Sequence, residues 1–451
     1  MEMNNADLYQ ALNSYSSLNP ARFHMPGHKG NLNSTEFETL APLDVTEISI
    51  TDDLSAPSGA IRRLERRFAS LYNAKDSLLL VNGSTTGNIA MLLSIGIGKR
   101  ILVARNSHKS VLSGAALAGH ELINLFPDLC TGRIIPEDVN VALSENKVDA
   151  VFITSPTYYG VCSDVETIAE IVHNHGAKLF IDCAHGAHFP FSEHLPCSPH
   201  SCDAWVVSCH KTLNSLTQSA VLNIGHSNEI DATNMRKYVL MIQSSSPSYL
   251  LMLSLENALE NAGNWNWHCK RILIFRKRLS QIDGVECIWY DFQFDYTRLT
   301  LSLSGYTGYE FSSLLESYGI YPEMADQYSV VLITTPNDPD EWYERLYGIL
   351  VMESCKPRVS HSEKTRFTPC IVGMRTLNIR EAVFHPSELL RLEDASGRIA
   401  AQAVGVYPPG IAILFPGECI TSESVQYLTE CIEHGAKLFG VLNNMIPVCV
   451  E

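Results

Sequence analysis

Between residues 50 and 245, short apolar runs rich in Val, Ile and Leu recur with longer amphipathic stretches between them. No other feature restricts the fold as much. The runs are SLLLVNGST (77–85), RILVARNS (100–107), DAVFITSPT (149–157), KLFIDCAHG (178–186), DAWVVSCH (203–210) and SAVLNIG (219–225). Continuous apolar character over a few residues suits strands buried on both faces. TTGNIAMLLSIGI (85–97) and DVETIAEIVHNHG (164–176) read as helices, the second closing on a glycine. Strand–helix alternation predicts an α/β class with a mostly parallel sheet and helices on both faces.

The pattern changes on either side of this block. Residues 1–50 are polar and irregular around ARFHMPGHKG, an arm rather than a domain, with ADLYQALNSYSSL (6–18) as one helix. Residues 51–275 form the large domain. The stretch 246–282 reads as long and helical, leading into a smaller C-terminal α+β region, 276–451. There RLTLSLSG (298–305) and SVVLITTP (329–336) read as strands, and VGVYPPGIAILFPGECI (404–420) as a proline-broken loop and strand.

With 451 residues, 45% hydrophobic and 18% charged, the chain has the composition of a globular protein of two or three domains. Its 33 basic against 49 acidic residues give a net charge of −16, which argues against a nucleic-acid partner. No run of about 18 apolar residues predicts a membrane span. MEMNNADLYQ lacks the marks of a signal peptide, and the 13 cysteines form no C-x-x-C pair. Reduced thiols in a cytoplasmic protein are the expectation.

Ligands of open α/β sheets bind beyond the carboxyl ends of the strands. Those ends carry Gly83 to Thr86, Asn106 to His108, Thr157 to Tyr159, Asp182 with His185, and Ser208 to Lys211. NGSTTGN (82–88) stands between a strand and a helix, where backbone N–H groups can hold an anion; a plain helix cap by Ser84 or Thr85 explains it as well. Asp182 needs a partner if buried, either a loop N–H, an arginine or a cationic ring nitrogen. His108 suits a base, a metal ligand or a plate against a ring. His24/His28 and His185/His188 have ligand-like spacing, but neither pair carries the glutamate of H-E-x-x-H or a cysteine pair, so no metal is expected. Lys211, in isolation, reads as a lysine snorkelling from a strand end. Together, a phosphate cradle, a carboxylate, an imidazole and a lysine meet the requirements of pyridoxal phosphate.

These segments resemble the ornithine/lysine/arginine decarboxylase family of fold-type-I pyridoxal-phosphate enzymes. The resemblance rests on FHMPGHKG (23–30), NGSTTGN (82–88), RNSHKS (105–110), SPTYYGV (155–161), IDCAHGAHF (181–189), SCHKTLNSLTQSA (208–220), SSSPSYLLMLSLE (244–256), DASGRIA (394–400) and YPPGIAILFPGE (407–418), collinear over nearly the whole chain. It looks like the family's short form, without an N-terminal regulatory domain.

The resemblance implies a transferase-like large domain and decarboxylation of arginine, lysine or ornithine to the amine and carbon dioxide, feeding polyamine metabolism. By it, Lys211 is the Schiff-base lysine, Asp182 the partner of the pyridine nitrogen and His108 the residue stacked on the ring, with His185 beside it. Ser84, Thr85, Ser208 and His210 hold the phosphate. A homodimer or larger homo-oligomer is implied, with Ser245 in the SSSP segment and the FHMPGHKG arm approaching a partner's cofactor. Glu418 is implied at the cationic end of the substrate. The roles of His24, His28 and Lys29 are left open. Cys183 replaces the family's usual glutamate and Ala412 its usual proline, which leaves substrate identity open. A fold-type-I aminotransferase or carbon–sulfur lyase shares the same scaffold; a non-catalytic sensor of basic amino acids would need none of Lys211, Asp182 and His108.

Overall fold

The computed structural model describes residues 7–227, 230–356 and 371–450. Along the first part of the chain run α1 (Asp7–Ser17), α2 (Ala60–Leu71), β1 (Asp76–Leu80), α3 (Gly83–Ser94), β2 (Arg100–Ala104), α4 (Lys109–Ala118), β3 (Glu121–Leu125), α5 (Pro136–Glu145), β4 (Ala150–Thr154), α6 (Val165–Asn174), β5 (Lys178–Asp182), β6 (Ala204–Val207), α7 (Cys209–Thr212), β7 (Ala220–Ile224), α8 (Ala232–Ile242) and α9 (Tyr249–Glu260). Seven strands form one sheet in the order β1-β7-β6-β5-β4-β2-β3. It is mostly parallel, with β7 antiparallel to both its neighbours. All six apolar runs of the sequence are strands. The expectation of an α/β fold with a smaller C-terminal α+β part holds.

The chain divides into two compact units built from interleaved segments. The first takes the described residues up to Ser94, Phe180–Phe191 and Cys197–Gly263. β6 and β7 are buried at every residue. Ser77 answers the one polar side chain inside β7, donating to Asn223 Oδ1 across the β1–β7 register at 2.6 Å. The first turn of α2 is capped from a distance: the Asp52 carboxylate accepts the N–H groups of Ser58, Gly59 and Ile61 at 2.8–2.9 Å. α1 is held by Glu256 of α9, whose two oxygens accept the N–H groups of Leu8 and Tyr9 at 3.0 and 2.8 Å. A helix start has unpaired N–H groups and a positive dipole end, so a carboxylate is a fitting anchor. Burial nevertheless pushes the Glu256 carboxyl above the ordinary carboxylate range.

The second unit takes Ile95–Leu179, Ser192–Pro196 and the described residues from Asn264 onward. It adds α10 (Trp265–Leu279), β8 (Val285–Cys287), β9 (Arg298–Leu303), α11 (Gly308–Ser317), β10 (Met324–Ala325), β11 (Val330–Ile333), α12 (Asp340–Ser354), α13 (Ile379–Phe384), β12 (Ser387–Arg391), β13 (Val404–Val406), β14 (Ile411–Leu414), α14 (Ser422–Glu433), β15 (Leu438–Phe439) and β16 (Met445–Cys449). A four-stranded sheet, β10-β11-β9-β8, shares an apolar core with α10, α11 and α12. β14-β13-β15 and β12-β16 make two further small sheets. The stretch 246–282 is not one helix: α9 ends at Glu260, Gly263 follows with a φ of +85°, and Asn264 caps α10. Ala412 pairs with Gly405 in the β13–β14 ladder. No helix of the described residues is long and apolar enough to cross a membrane.

Glu256→Ala removes the acceptors of two helix N–H groups and leaves them partly buried. The expected loss is about 1–3 kcal/mol of stability, with faster proteolysis within residues 7–17. An unchanged unfolding midpoint and cleavage rate would contradict this anchoring role.

Candidate active site

β5 runs through three apolar residues, Leu179, Phe180 and Ile181, and ends at Asp182, a carboxylate only 4% exposed. Its Oδ1 accepts the Ala184 N–H at 3.0 Å, and its Oδ2 accepts from Asn88 Nδ2 of α3 at 2.7 Å. The turn that follows is built tightly. A Cβ on Gly186 would lie 2.6 Å from Cys183 Sγ and 2.9 Å from the Phe189 ring. Tyr72 donates its hydroxyl to Ala187 O at 2.7 Å and holds the turn down. Burial, and then the Asp182 charge, push the Cys183 thiol far above its usual range. The position where the family often has glutamate therefore holds a neutral group here.

That turn delivers His185 to the end of β6. Ser208 follows β6 and precedes the single turn α7, on which Lys211 sits, half-buried. Lys211 Nζ lies 2.9 Å from His185 Nε2. The Ser208 N–H binds Ala184 O at 3.2 Å, which ties the two strand ends together. Ser208 Oγ is fully buried, makes no capping bond and has no hydrogen-bond partner among the described residues. His210 is half-buried, its Nδ1 3.0 Å from Ser219 O.

α3 opens at Gly83, with φ of +74° and open space where a Cβ would stand. Its N–H is bonded to Gln218 O at 2.8 Å, and Ser84 and Thr85 occupy its first turn, half-buried and exposed respectively. Further along, Gly87 lets α3 settle on β6: a Cβ there would be 2.6 Å from Val206 Cγ2. This approach seats Asn88 against Asp182. Ser245 is exposed in the loop before α9, two residues after Gln243, whose Oε1 accepts the Val81 N–H at 2.9 Å. The arm is exposed at Phe23 and Met25, while His28 meets Asp44 at 3.1 Å and Lys29 donates to His24 O at 2.6 Å.

In the second unit, His108 is the N-cap of α4, its Nδ1 accepting the Ser110 N–H at 3.2 Å. Glu418 has its partners within the same unit. It is fully buried, and Oε1 meets Arg105 at 2.6 Å and Arg375 at 3.4 Å while Oε2 accepts the Phe415 N–H at 2.9 Å. Both oxygens are spent inside the protein, because a buried carboxylate without such partners is costly. Glu418 is thus held in a buried ion-pair cluster.

The first unit's strand-end residues fit pyridoxal phosphate. Asp182 retains acceptor capacity on each oxygen beyond its one neutral donor, which suits a protonated ring nitrogen. The Lys211 amine has an imidazole nitrogen to exchange a proton with, and the orphaned Ser208 hydroxyl and open start of α3 suit a phosphate. Sequence reasoning missed Asn88, Gly87 and Tyr72 as the groups that set Asp182 and its turn. Asn88 closes the NGSTTGN motif, but nothing in the sequence marks it as buried. Among the described residues, no group of three or more His, Cys, Asp or Glu side chains is arranged to hold a metal ion.

Residues 6–291 match the family model "Orn/Lys/Arg decarboxylase, major domain", and residues 372–445 match "Orn/Lys/Arg decarboxylase, C-terminal domain". An arginine decarboxylase of Bacillus subtilis is 30% identical, over 98% of this chain and 96% of its own length. An arginine decarboxylase of Bacillus anthracis is also 30% identical, over 96% and 94%. The solved constitutive lysine decarboxylase of E. coli superposes with a TM-score of 0.82 at 17% identity, covering 98% of this chain and 82% of that one.

Gly87→Ala forces α3 away from β6, at an expected cost of about 1–3 kcal/mol. Adding Val206→Ala makes room, so the double variant is expected to lose less stability than the sum of the two singles. Strict additivity in unfolding measurements would contradict the close approach.

Proposed function

The chain belongs to the Orn/Lys/Arg decarboxylase family, and from that premise we propose that it is an arginine decarboxylase working through pyridoxal phosphate attached at Lys211. Membership makes it a pyridoxal-phosphate-dependent decarboxylase of basic amino acids. Arginine is preferred over lysine and ornithine because relatives matched over more than nine-tenths of both chains carry that name. Release of the amine into polyamine metabolism belongs to the same proposal. The observation that carries the site is the 2.9 Å approach of Lys211 Nζ to His185 Nε2 at the end of β6.

When bound, pyridoxal phosphate supplies the electron sink for the pair left by departing carbon dioxide. The chain's part is to bind, orient and move protons. Asp182, oriented by Asn88 and the Ala184 N–H, would keep the ring nitrogen protonated. His185 Nε2 would take the proton from Lys211 Nζ, since only the neutral amine is a nucleophile. Lys211 or His185 would then deliver a proton to the substrate's α-carbon. Ser208 Oγ, His210, Ser84, Thr85 and the N–H groups opening α3 would take the phosphate. His108 would lie against the ring. We infer a homodimer in which Ser245 and the 23–30 arm reach the neighbouring subunit's cofactor. Glu418, the residue implied at the substrate's cationic end, would have to share its carboxylate with Arg105 and Arg375.

Purified Lys211→Ala is expected to lack the visible absorbance of bound cofactor and to release no carbon dioxide. For the unaltered protein, carbon dioxide release from arginine is expected to exceed that from lysine and ornithine. Faster release from lysine or ornithine overturns the choice of arginine, and turnover by Lys211→Ala overturns the assigned lysine.

A further inference from the structure

One segment absorbed by none of this is the turn between β13 and β14, residues 407–410, which wraps the start of α4. His108 forms an antiparallel bridge with Ile411, and the Lys109 N–H binds Gly410 O at 3.1 Å. The turn is itself anchored, with the Gly410 N–H on Val406 O at 3.0 Å and the Tyr407 N–H on Lys437 O at 2.8 Å. Lys109 Nζ lies 5.4 Å from the Tyr407 ring centre and 5.0 Å from that of Phe439, cation–π contacts that join the start of α4 to the turn and to β15.

The imidazole of His108 is fixed from two sides. On one side Nδ1 accepts the Ser110 N–H and lies 2.8 Å from Ser110 Oγ. A nitrogen that accepts an N–H carries no proton, so the neutral ring bears its proton on Nε2. On the other side stands Gly410. A Cβ there would come within 3.0 Å of His108 Cδ2 and 3.1 Å of Nε2. Its φ of +84° lies in the left-handed region, where other residues are strained. Glycine thus satisfies two demands at once: the turn's backbone and the closeness of the ring.

We propose that Gly410 is a positioning residue that backs the His108 ring and sets the plane it offers to the cofactor. This rests on the reading above that His108 lies against the cofactor ring. The 407–410 turn would then act on cofactor affinity through His108.

The test measures pyridoxal phosphate affinity of the apo-protein and visible circular dichroism of the bound cofactor. Gly410→Ala is expected to weaken binding roughly tenfold, the size of one ring-packing contact, and to alter the dichroic band. Gly397→Ala supplies the control: its φ of +85° imposes the same backbone strain, but its Cβ would meet nothing within 4 Å. It is expected to leave affinity and dichroism unchanged. In a His108→Ala background, Gly410→Ala is expected to have no further effect. If Gly410→Ala does not fold, Pro409→Gly, which loosens the same turn, is put through the same cycle. Should His108→Ala alone leave affinity and dichroism unchanged, the placement of His108 on the ring fails, and this inference with it. Should His108→Ala change them while Gly410→Ala behaves like Gly397→Ala, or acts equally without His108, only the positioning role is overturned.

Discussion

Asp182 is a carboxylate set at the end of an apolar strand, almost wholly out of water, and much of the first unit follows from the need to answer its charge. An unpaired charge in such a place costs several kcal/mol. Its two donors each impose a condition. Asn88 reaches it only if α3 lies close on β6, which the missing side chain of Gly87 permits. The Ala184 N–H reaches it only if the chain turns sharply after β5, which the crowding at Gly186 and the Tyr72 hydroxyl enforce. The same turn brings His185 to Lys211. Satisfying one buried carboxylate therefore arranges the groups that the proposed chemistry uses.

The second unit solves its buried charges in a similar way. Glu418 gathers Arg105 from the end of β2 and Arg375 from before α13, and the Arg105 guanidinium lies 3.6 Å from the centre of the Phe415 ring. Burial pulls the Arg375 guanidinium below its ordinary range, though Glu418 opposes that shift. Arg276 of α10 spends its guanidinium on the carbonyls of Ile288, Tyr296 and Arg298, which fixes the β8–β9 region. Three residues beyond Arg105 stands His108, so the ion pair at Glu418 and the turn at Gly410 hold the same short stretch of chain.

The strands of the large sheet were legible because burial on both faces writes an uninterrupted apolar run into the sequence. β3 was not, because ELINL is partly exposed at the sheet's edge and interleaves Glu121 and Asn124 with apolar residues. β12 is mostly exposed and carries no apolar pattern at all. Within the site, Asp182 and Lys211 stood out as charges at the ends of apolar strands. Asn88 did not, since one polar residue in a helix is ordinary until its burial is known. The ion pair of Glu418 was hidden for a related reason: its arginine partner Arg105 is 313 residues away, and nothing local announces the pair. Nor can a single boundary along the chain express two units made of interleaved segments.

Lys211, at the end of β6 and 2.9 Å from His185, is the residue proposed to carry the cofactor. Reducing the cofactor-loaded protein with borohydride and mapping the modified peptides by mass spectrometry tests it most directly. The prediction is a phosphopyridoxyl group on Lys211, within the peptide containing SCHKTL (208–213). A group on any other lysine, Lys109 included, or no modified lysine in a protein that decarboxylates its substrate, would contradict the account.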